Sequence, residues 1–462
     1  MPSGDNVENK EQRNLRLGIL EGLLATPWML LSLPAGFIIS GLLTLYYDVS
    51  PVVYGIIASL PAWSNALQIV LTPVVAKFLN ARDLALVLSW MNLGLWCMLA
   101  AVLGYLPPED SKSAGQVFLI FFSLAALSQS LAGVGWTAWV QQWTPTKVRG
   151  AYFGNRNRQI SIATVGFLLI AMGTLNWFGE SIWAYQTLII VALLCRFFSL
   201  LWQHLIVTPP EANGTLVTEG WLRELAGLRK HKNFLLLIAF GSWCGFWMSL
   251  TGPFIPRFVY EHLSVLPWQF ALVNILATLS GALTLPLWGK VIDRHGCIPV
   301  MMISLSLWQA QNYLWCILTP SLSWLLYPMW FWGGMVGNAY LLGLFNLIFK
   351  IIPKQGRTAA ISANIAVTSV AAAIAPVLAG QIIEMSESLG WPILTVYRIG
   401  FALGPTSLLL SLLILRKIKE PEIDGEGSVM GAMRSVRQIL QIQGLNFLAN
   451  ASFVSPIIKR KK

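Results

Sequence analysis

Residues 286–296 run Pro-Leu-Trp-Gly-Lys-Val-Ile-Asp-Arg-His-Gly, and this stretch decides the fold once it is set beside residues 73–80, Pro-Val-Val-Ala-Lys-Phe-Leu-Asn. Each stretch closes a long apolar run. Two further pairs occur in the same order: Pro145…Arg149 with Pro353…Arg357, and Arg196 with Arg398, the last two inside apolar runs. All three pairs repeat at a spacing of roughly 200 residues, which predicts two similar halves.

The apolar runs around these landmarks are long enough to cross a bilayer. The chain is 56% hydrophobic and only 11% charged, whereas soluble domains carry roughly 25% charged residues. A large soluble helical protein is excluded because its helices need a polar face. We therefore predict an all-α membrane protein with twelve transmembrane helices in two pseudo-symmetric six-helix bundles. The predicted helices are 18–45, 51–76, 84–106, 116–141, 159–178, 184–207, 234–260, 268–292, 297–318, 324–351, 358–383 and 394–416.

These helices divide the chain into five parts. Residues 1–17 form a cytoplasmic N-terminal segment, and 18–207 form the first six-helix bundle. Residues 208–233 form a cytoplasmic central loop, 234–416 the second bundle, and 417–462 a basic cytoplasmic tail. The tail ends Lys-Arg-Lys-Lys and is expected to contact anionic lipid.

The positions of the basic residues predict the orientation. Of the 31 Lys and Arg residues, Lys112 and Arg257 fall in predicted outer loops, Arg196 and Arg398 lie within helices, and the other 27 fall on the inner side. This bias predicts that both termini are cytoplasmic, in a bacterial inner (plasma) membrane. The net charge of +11 is thereby assigned to topology rather than to nucleic-acid binding.

The loop at 289–296 also carries a family resemblance. Gly289, Asp293, Arg294 and Gly296 fit the Gly-x-x-x-Asp-Arg-x-Gly signature of the major facilitator superfamily of transporters. The first-half copy has lost it, with Ala76, Asn80 and Ala81 at the matching positions, and the stretch from Trp136 to Arg156 resembles an uncharacterised bacterial subgroup. The resemblance implies alternating access, with a gating role for Gly289, Asp293, Arg294, Gly296, Arg149 and Arg357. Topogenic charge with a tight turn is the alternative for this loop.

The same resemblance implies that helices 1, 4, 7 and 10 surround a central cavity. These helices contain prolines and glycines, among them Pro34 in helix 1, Gly252 and Pro253 in helix 7, and Gly333 and Gly334 in helix 10. Interrupted helices at matching positions indicate a site or a hinge. The candidate cavity residues are Trp28, Gln129, Trp136, Trp139, Trp243, Trp247, Asn338 and Asn346. Tryptophan beside amide groups suits a neutral polar or amphipathic ligand, although any one tryptophan can instead be an interface anchor.

Ionisable residues within the bilayer are candidates for function because they are expensive to bury there. Glu21 lies in the inner third of helix 1 and is our candidate for proton coupling; pairing with an inner-face arginine and exposure to water are the alternatives. For Arg196 and Arg398 we favour burial satisfied by carbonyls or polar groups over anion binding.

These features predict a secondary transporter, and not an enzyme, for a small organic solute that moves by proton coupling or down its own gradient. No phosphate-binding loop, metal-ligand cluster or cofactor motif occurs in the sequence. The alternatives are drug or metabolite efflux on the same fold and a non-transporting receptor or scaffold. The expected partners are the solute and the lipid bilayer, and the protein is expected to be a monomer.

Overall fold

The computed structural model describes residues 4–145, 148–179, 181–208, 226–353 and 357–421, with the side chains of 4–9 and 357–358 excepted. The described part is helical and contains no strand. In chain order its α-helices are α1 (Gly4–Leu31), α2 (Phe37–Gly41), α3 (Pro51–Val75), α4 (Ala81–Leu103), α5 (Ser111–Trp143), α6 (Arg149–Phe178), α7 (Ile182–His204), α8 (Lys232–Thr251), α9 (Phe254–Leu263), α10 (Pro267–His295), α11 (Cys297–Asn312), α12 (Leu326–Ile351), α13 (Arg357–Ser388) and α14 (Ile393–Leu415).

Ten of the described helical segments are long and apolar enough to cross a membrane. They include α3 to α7, the combined segment Lys232–Leu263, α10, and the helices that end at Ile351, Ser388 and Leu415. The chain is therefore an integral membrane protein. Two predicted spans fall outside this set: α1 carries the charged residues of the N-terminal region, and α11 ends at Asn312, where a 3-10 turn (Tyr313–Cys316) continues it.

The first predicted helix, 18–45, differs from the observed one at both ends. Helix α1 begins at Gly4, and the chain leaves it at Leu31, resumes as α2 at Phe37 and ends in a π-helical turn, Leu42–Tyr46. Pro34 lies in the gap, where its ring and missing N–H stop the helical ladder. The fifth helix also begins earlier than predicted, at Arg149 rather than 159, so Arg156 is a helical residue.

The predicted interruptions in helices 1 and 7 are present, but the one in helix 10 is not. The seventh helix divides at Gly252 and Pro253 into α8 and α9. In contrast, α12 is continuous through Gly333 and Gly334. A Cβ at Gly334 would collide with the carbonyl of Ala277 and the hydroxyl of Ser280, so this glycine lets α12 pack closely on α10 rather than breaking the helix.

We call residues 4–208 the first half and 226–421 the second half. The Asp48 end of the molecule contains the turns at Asp48, Ser264 and Gly390, and the Gly296 end contains those at Asn80, His204, Gly296 and Glu420. At the Asp48 end, one hydrophobic cluster includes residues of both halves, such as Phe37, Tyr54, Phe258 and Tyr397. Two other clusters are each confined to one half. The halves therefore share a core at the Asp48 end and also have cores of their own.

The helices α3 and α13 pack closely at the Asp48 end. A Cβ at Gly55 would collide with the carbonyl oxygen of Pro376, and a Cβ at Gly380 would collide with that of Pro51. Each helix thus presents a glycine to the other helix's backbone. The contact brings the halves together more tightly than larger residues would permit.

Candidate functional site

A buried charge cluster joins three helices of the first half. Glu21 in α1 lies 3.1 Å from Nη2 of Arg156 in α6 and 3.8 Å from Nη1 of Arg196 in α7. The three side chains are 5%, 12% and 7% exposed, respectively. Ser199 donates its hydroxyl hydrogen to the backbone carbonyl of Glu21 at 2.9 Å, and Arg196 donates to Ser199 at 3.3 Å. The cluster ties α1, α6 and α7 together through side chains of opposite charge.

Glycines on α1 make room for Arg156. A Cβ at Gly22 would lie 2.6 Å from Nη2 of Arg156, well inside van der Waals contact. The neighbouring Gly18 would collide with the Tyr152 hydroxyl and the Trp143 ring if it carried a side chain. Because Gly18 has none, its carbonyl accepts a hydrogen bond from Nε of Arg156 at 3.1 Å. The small residues of α1 therefore place the guanidinium beside Glu21.

Each arginine of the cluster also lies over a tryptophan. The guanidinium carbon of Arg196 is 4.8 Å from the centre of the Trp28 ring, and that of Arg156 is 4.8 Å from the Trp136 ring. A desolvated cation–π contact contributes about 2 kcal/mol. These rings offset part of the cost of burying two guanidinium groups, which is several kcal/mol for each ion.

The predicted substrate-cavity residues of the first half lie in different surroundings. Trp28 and Trp136 contact the arginines, and Gln129 is half-buried in α5 with no partner for its Oε1 atom among the described residues. Trp139 is as fully buried as Trp28: its ring lies in the first-half cluster and its indole N–H donates to Thr208 at 2.7 Å. A cavity role for either ring stays a prediction.

The predicted cavity residues of α8 are tryptophans near its middle. Trp243 is 40% exposed and donates its indole N–H to the carbonyl of Ser407 in α14 at 2.7 Å. Trp247 is half-buried, and its ring centre lies 6.3 Å from that of Trp243. These contacts attach α8 to α14, and a cavity role for either ring stays a prediction.

The two predicted asparagines of α12 both hydrogen-bond their own helix. Asn338 donates to the carbonyl of Gly334 at 2.7 Å, and Asn346 donates to that of Leu342 at 3.0 Å. The Asn338 amide also lies against Gly281 of α10, where a Cβ would collide with it. Asn338 therefore lies in the packing between α10 and α12 in this conformation, and Asn346 remains a candidate for the cavity.

The predicted gating loop has one essential glycine. Gly296 has φ 86° and ψ 169°, a combination that is essentially restricted to glycine, and it begins α11. Gly289 makes no close helix contact in this structure, because a Cβ there would meet nothing within 4 Å. Asp293 and Arg294 are exposed. Neither forms an ion pair with a described side chain.

The carboxylate at the N-terminus of α11 is that of Glu420, just beyond α14, and not that of Asp293. The Glu420 carboxylate accepts hydrogen bonds from the N–H groups of Cys297, at 2.8 and 3.0 Å, and Ile298, at 3.1 Å. Lys350 of α12 lies 2.7 Å from the same carboxylate. An acidic group at a helix N-terminus neutralises its unpaired N–H groups and its dipole. Burial raises the pKa of Glu420, but these hydrogen bonds outweigh it and lower the pKa below its usual value.

The remaining gating candidates are two arginines. Arg149 donates to the carbonyls of Gln141 at 2.9 Å and Thr144 at 3.0 Å, so it binds unpaired carbonyls at the end of α5. Arg357 begins α13, but its side chain lies outside those that the structure describes. Residues 422–462 of the predicted basic tail also lie outside the described residues, as does most of the central loop.

Arg156, Glu420 and the polar residues of α9 are candidates that the sequence did not reveal. Among the described residues at the Asp48 end, four hydrogen bonds join the halves: Tyr54 to Pro253, Arg257 to Val49, Tyr260 to Phe37, and the Val52 N–H to Glu384. Arg257 is also paired with Glu261 at 2.8 Å. The sequence did contain one sign of a role for α9, because Arg257 lies on the predicted outer side, where basic residues are rare.

The comparisons with known proteins agree with this architecture. Residues 235–458 match the model of the Major Facilitator Superfamily. No curated protein sequence matches the chain. The fold is shared with solved structures at low identity. They include a D-xylose–proton symporter, with 13% identity and a TM-score of 0.68 over 88% of this chain and 97% of that one.

Two other solved structures share the fold. The nucleoside transporter NupG has 16% identity and a TM-score of 0.62, over 89% of this chain and all of the other. A bacterial homolog of the human lysosomal transporter Spinster, in an inward-facing and unoccupied conformation, has 14% identity and a TM-score of 0.57, over 94% and 98%. At these identities the likeness establishes the fold alone.

Proposed function

We propose that this chain, whose residues 235–458 match the Major Facilitator Superfamily, is a secondary transporter for a small organic solute. The solute crosses by alternating access between two six-helix bundles. On this proposal α1 with α2, and α11 with its 3-10 turn, complete twelve spans. The family match supports a transporter over an enzyme.

The observation that carries the proposal is the unequal contact between the halves. The four hydrogen bonds between the halves named above and the α3–α13 glycine contacts lie at the Asp48 end. Towards the Gly296 end the hydrophobic clusters are confined to single halves. Halves that share a hydrophobic core at one end and have separate cores towards the other are what one state of an alternating-access cycle requires.

The positive-inside bias assigns the sides of this state. It puts the Asp48 end outside and the Gly296 end in the cytoplasm. The conformation is then inward-facing, in a bacterial inner membrane, with both termini cytoplasmic. The protein functions as a monomer in this proposal, and its basic tail contacts anionic lipid.

Proton coupling through Glu21 is part of the proposal. Glu21 is the carboxylate of the buried cluster, and its arginine partners belong to α6 and α7. Its protonation would release two guanidinium groups from their counter-ion and loosen the joint between these helices and α1. A proton would thereby change the contacts of three helices at once.

Uptake in proteoliposomes tests the proposal. Labelled solutes are offered under an imposed pH gradient and, separately, under a solute gradient alone. Wild-type protein should accumulate its solute, and Glu21→Gln should lose accumulation but retain exchange. Glu109→Gln, at an exposed loop residue, should behave as wild type.

The direction of net movement in the same assay separates import from efflux. If no solute moves under any gradient and Glu21→Gln changes nothing, the chain is better described as a receptor or scaffold on a transporter fold.

A further inference from the structure

The charge cluster of the first half is unbalanced. Two guanidinium groups, Arg156 and Arg196, share the single carboxylate of Glu21, and all three side chains are nearly nine-tenths buried or more. In contrast, the buried Arg257 is matched one to one by Glu261. Among the described residues the cluster therefore carries one excess positive charge. A buried charge without a counter-ion costs several kcal/mol, so an anion at this place would be strongly stabilised.

The same cluster contains hydrogen-bond donors that have no acceptor among the described residues. They are Nε of Arg196, the indole N–H groups of Trp28 and Trp143, and the hydroxyl of Tyr152. Arg196 and Trp28 are more than nine-tenths buried. A helix joint that served stability alone would leave few such donors, because each buried donor without an acceptor is destabilising. An excess of donors together with an excess of positive charge is the composition of an anion site.

The cluster lies in the part of the first half that is nearer the Gly296 end. Arg156 lies two helical turns inside α6, about 10 Å from the start of that helix. It is the most exposed member of the cluster, and Trp136 beneath it is half-buried. This is the side on which the halves have separate cores. A solute that entered between them would meet Arg156 and Trp136 first and the more deeply buried Arg196 and Trp28 behind them.

We propose that Arg156 and Arg196 bind the carboxylate of the transported solute, which is a monovalent organic anion. One negative charge balances the cluster, whereas a neutral solute leaves the excess and a divalent anion reverses it. The tryptophan faces beside both guanidinium groups suit an apolar or aromatic body on the same molecule. This inference rests on the proposed transport function and narrows its solute from any small organic molecule to monocarboxylates.

Ligand-dependent thermal stability of the purified protein tests the inference without requiring transport. The probes are monocarboxylates of two to ten carbons, benzoate among them, each paired with its uncharged amide at equal ionic strength. At least one carboxylate should raise the melting temperature saturably, and its amide should not. Arg196→Gln and Arg156→Gln should each weaken this binding at least tenfold. Arg158→Gln, an exposed position on the same helix, should leave it unchanged.

Glu21→Gln gives the sharpest readout, because it removes the carboxylate that competes with the solute for both arginines. Anion binding should be retained or become tighter in this variant, even if coupled uptake is lost. Should Arg196→Gln fail to fold, Arg156→Gln and Glu21→Gln carry the test. Equal binding of carboxylate and amide, binding of neither by the wild type, or wild-type affinity in Arg156→Gln would overturn the inference.

The inference and the proposed function fail in different ways. Carboxylate binding in the purified protein with no flux in proteoliposomes would leave the anion site standing and remove the transport function. Transport of an uncharged solute, undiminished in Arg156→Gln, would leave the transport function standing and remove the anion site.

Discussion

Tyr260 in α9 donates its phenolic hydrogen to the backbone carbonyl of Phe37 in α2, 2.9 Å away, and so joins the interrupted segments of the two halves. Both residues are buried, and the ring of Phe270 lies within aromatic contact of each. Tyr260→Phe removes the hydrogen bond and keeps the ring. We expect a loss of about 1 kcal/mol from the sealed state, or roughly a fivefold shift towards opening at the Asp48 end.

Spin labels on either side of the seal measure this shift as a distance distribution. Tyr313→Phe is a suitable control, because that hydroxyl bonds Thr406 within the second half. An unchanged distribution in Tyr260→Phe would mean that ring packing alone holds the seal.

The α3–α13 contact gives a second prediction. In Gly380→Ala the added methyl group meets the carbonyl of Pro51, a backbone atom that cannot rotate away. We expect the halves to separate at the Asp48 end, with faster labelling of single cysteines placed there. Gly173→Ala adds the same methyl group where nothing lies within 4 Å, and should leave labelling unchanged. Equal labelling rates in the two variants would contradict the prediction.

The loop at 289–296 predicts opposite outcomes for its two glycines. Gly296→Ala forces a side chain into a backbone conformation at φ 86° and should cost about 1–3 kcal/mol, seen as a lower melting temperature. Gly289→Ala should be neutral or slightly stabilising, because its Cβ meets open space within a helix. If Gly289→Ala instead blocks transport at normal stability, a helix must pack closely on Gly289 in another state of the transport cycle.

Glu420 gives the protein an acid-sensitive contact. Its pKa is lower in the folded chain than the usual 4.5, so the carboxylate stabilises the fold at neutral pH and loses this effect as the pH falls through the lowered pKa. Glu420→Gln should cost about 2 kcal/mol at pH 7, because it removes charged hydrogen bonds to Cys297 and Lys350. The difference in melting temperature between wild type and variant should shrink with decreasing pH below 4.5. A constant difference would show that the contact is steric.

Some of this structure follows directly from the residue pattern. Long apolar runs, the Pro34 and Pro253 interruptions and the turn at Gly296 each depend on local chemistry, so the sequence alone predicts them. The glycines of α12 were misread as a break because a glycine at a helix contact and one at a kink look the same in sequence. Only the position of Ala277 on the neighbouring helix distinguishes them.

Only part of the charge cluster could be predicted from the sequence. Glu21 stands out in an apolar run, but the predicted start of the fifth helix at 159 left Arg156 in a loop. Because α6 begins at Arg149, Arg156 is a helical residue that can pack against α1. Which carboxylate caps α11 depends on where the chain lies beyond α14, and that is a property of the packed second half rather than of any local motif.

The breaks at 32–36 and 252–253 have a mechanical consequence. The seal at the Asp48 end is carried partly by two short helices, α2 and α9, each joined to its longer partner by a bend. A short segment on a bend can swing by itself, while the long helix α1 keeps Glu21 in the arginine cluster. Separation of the halves at the Asp48 end and rearrangement of the buried charges can thus be separate events, with separate rates, rather than one rigid rotation.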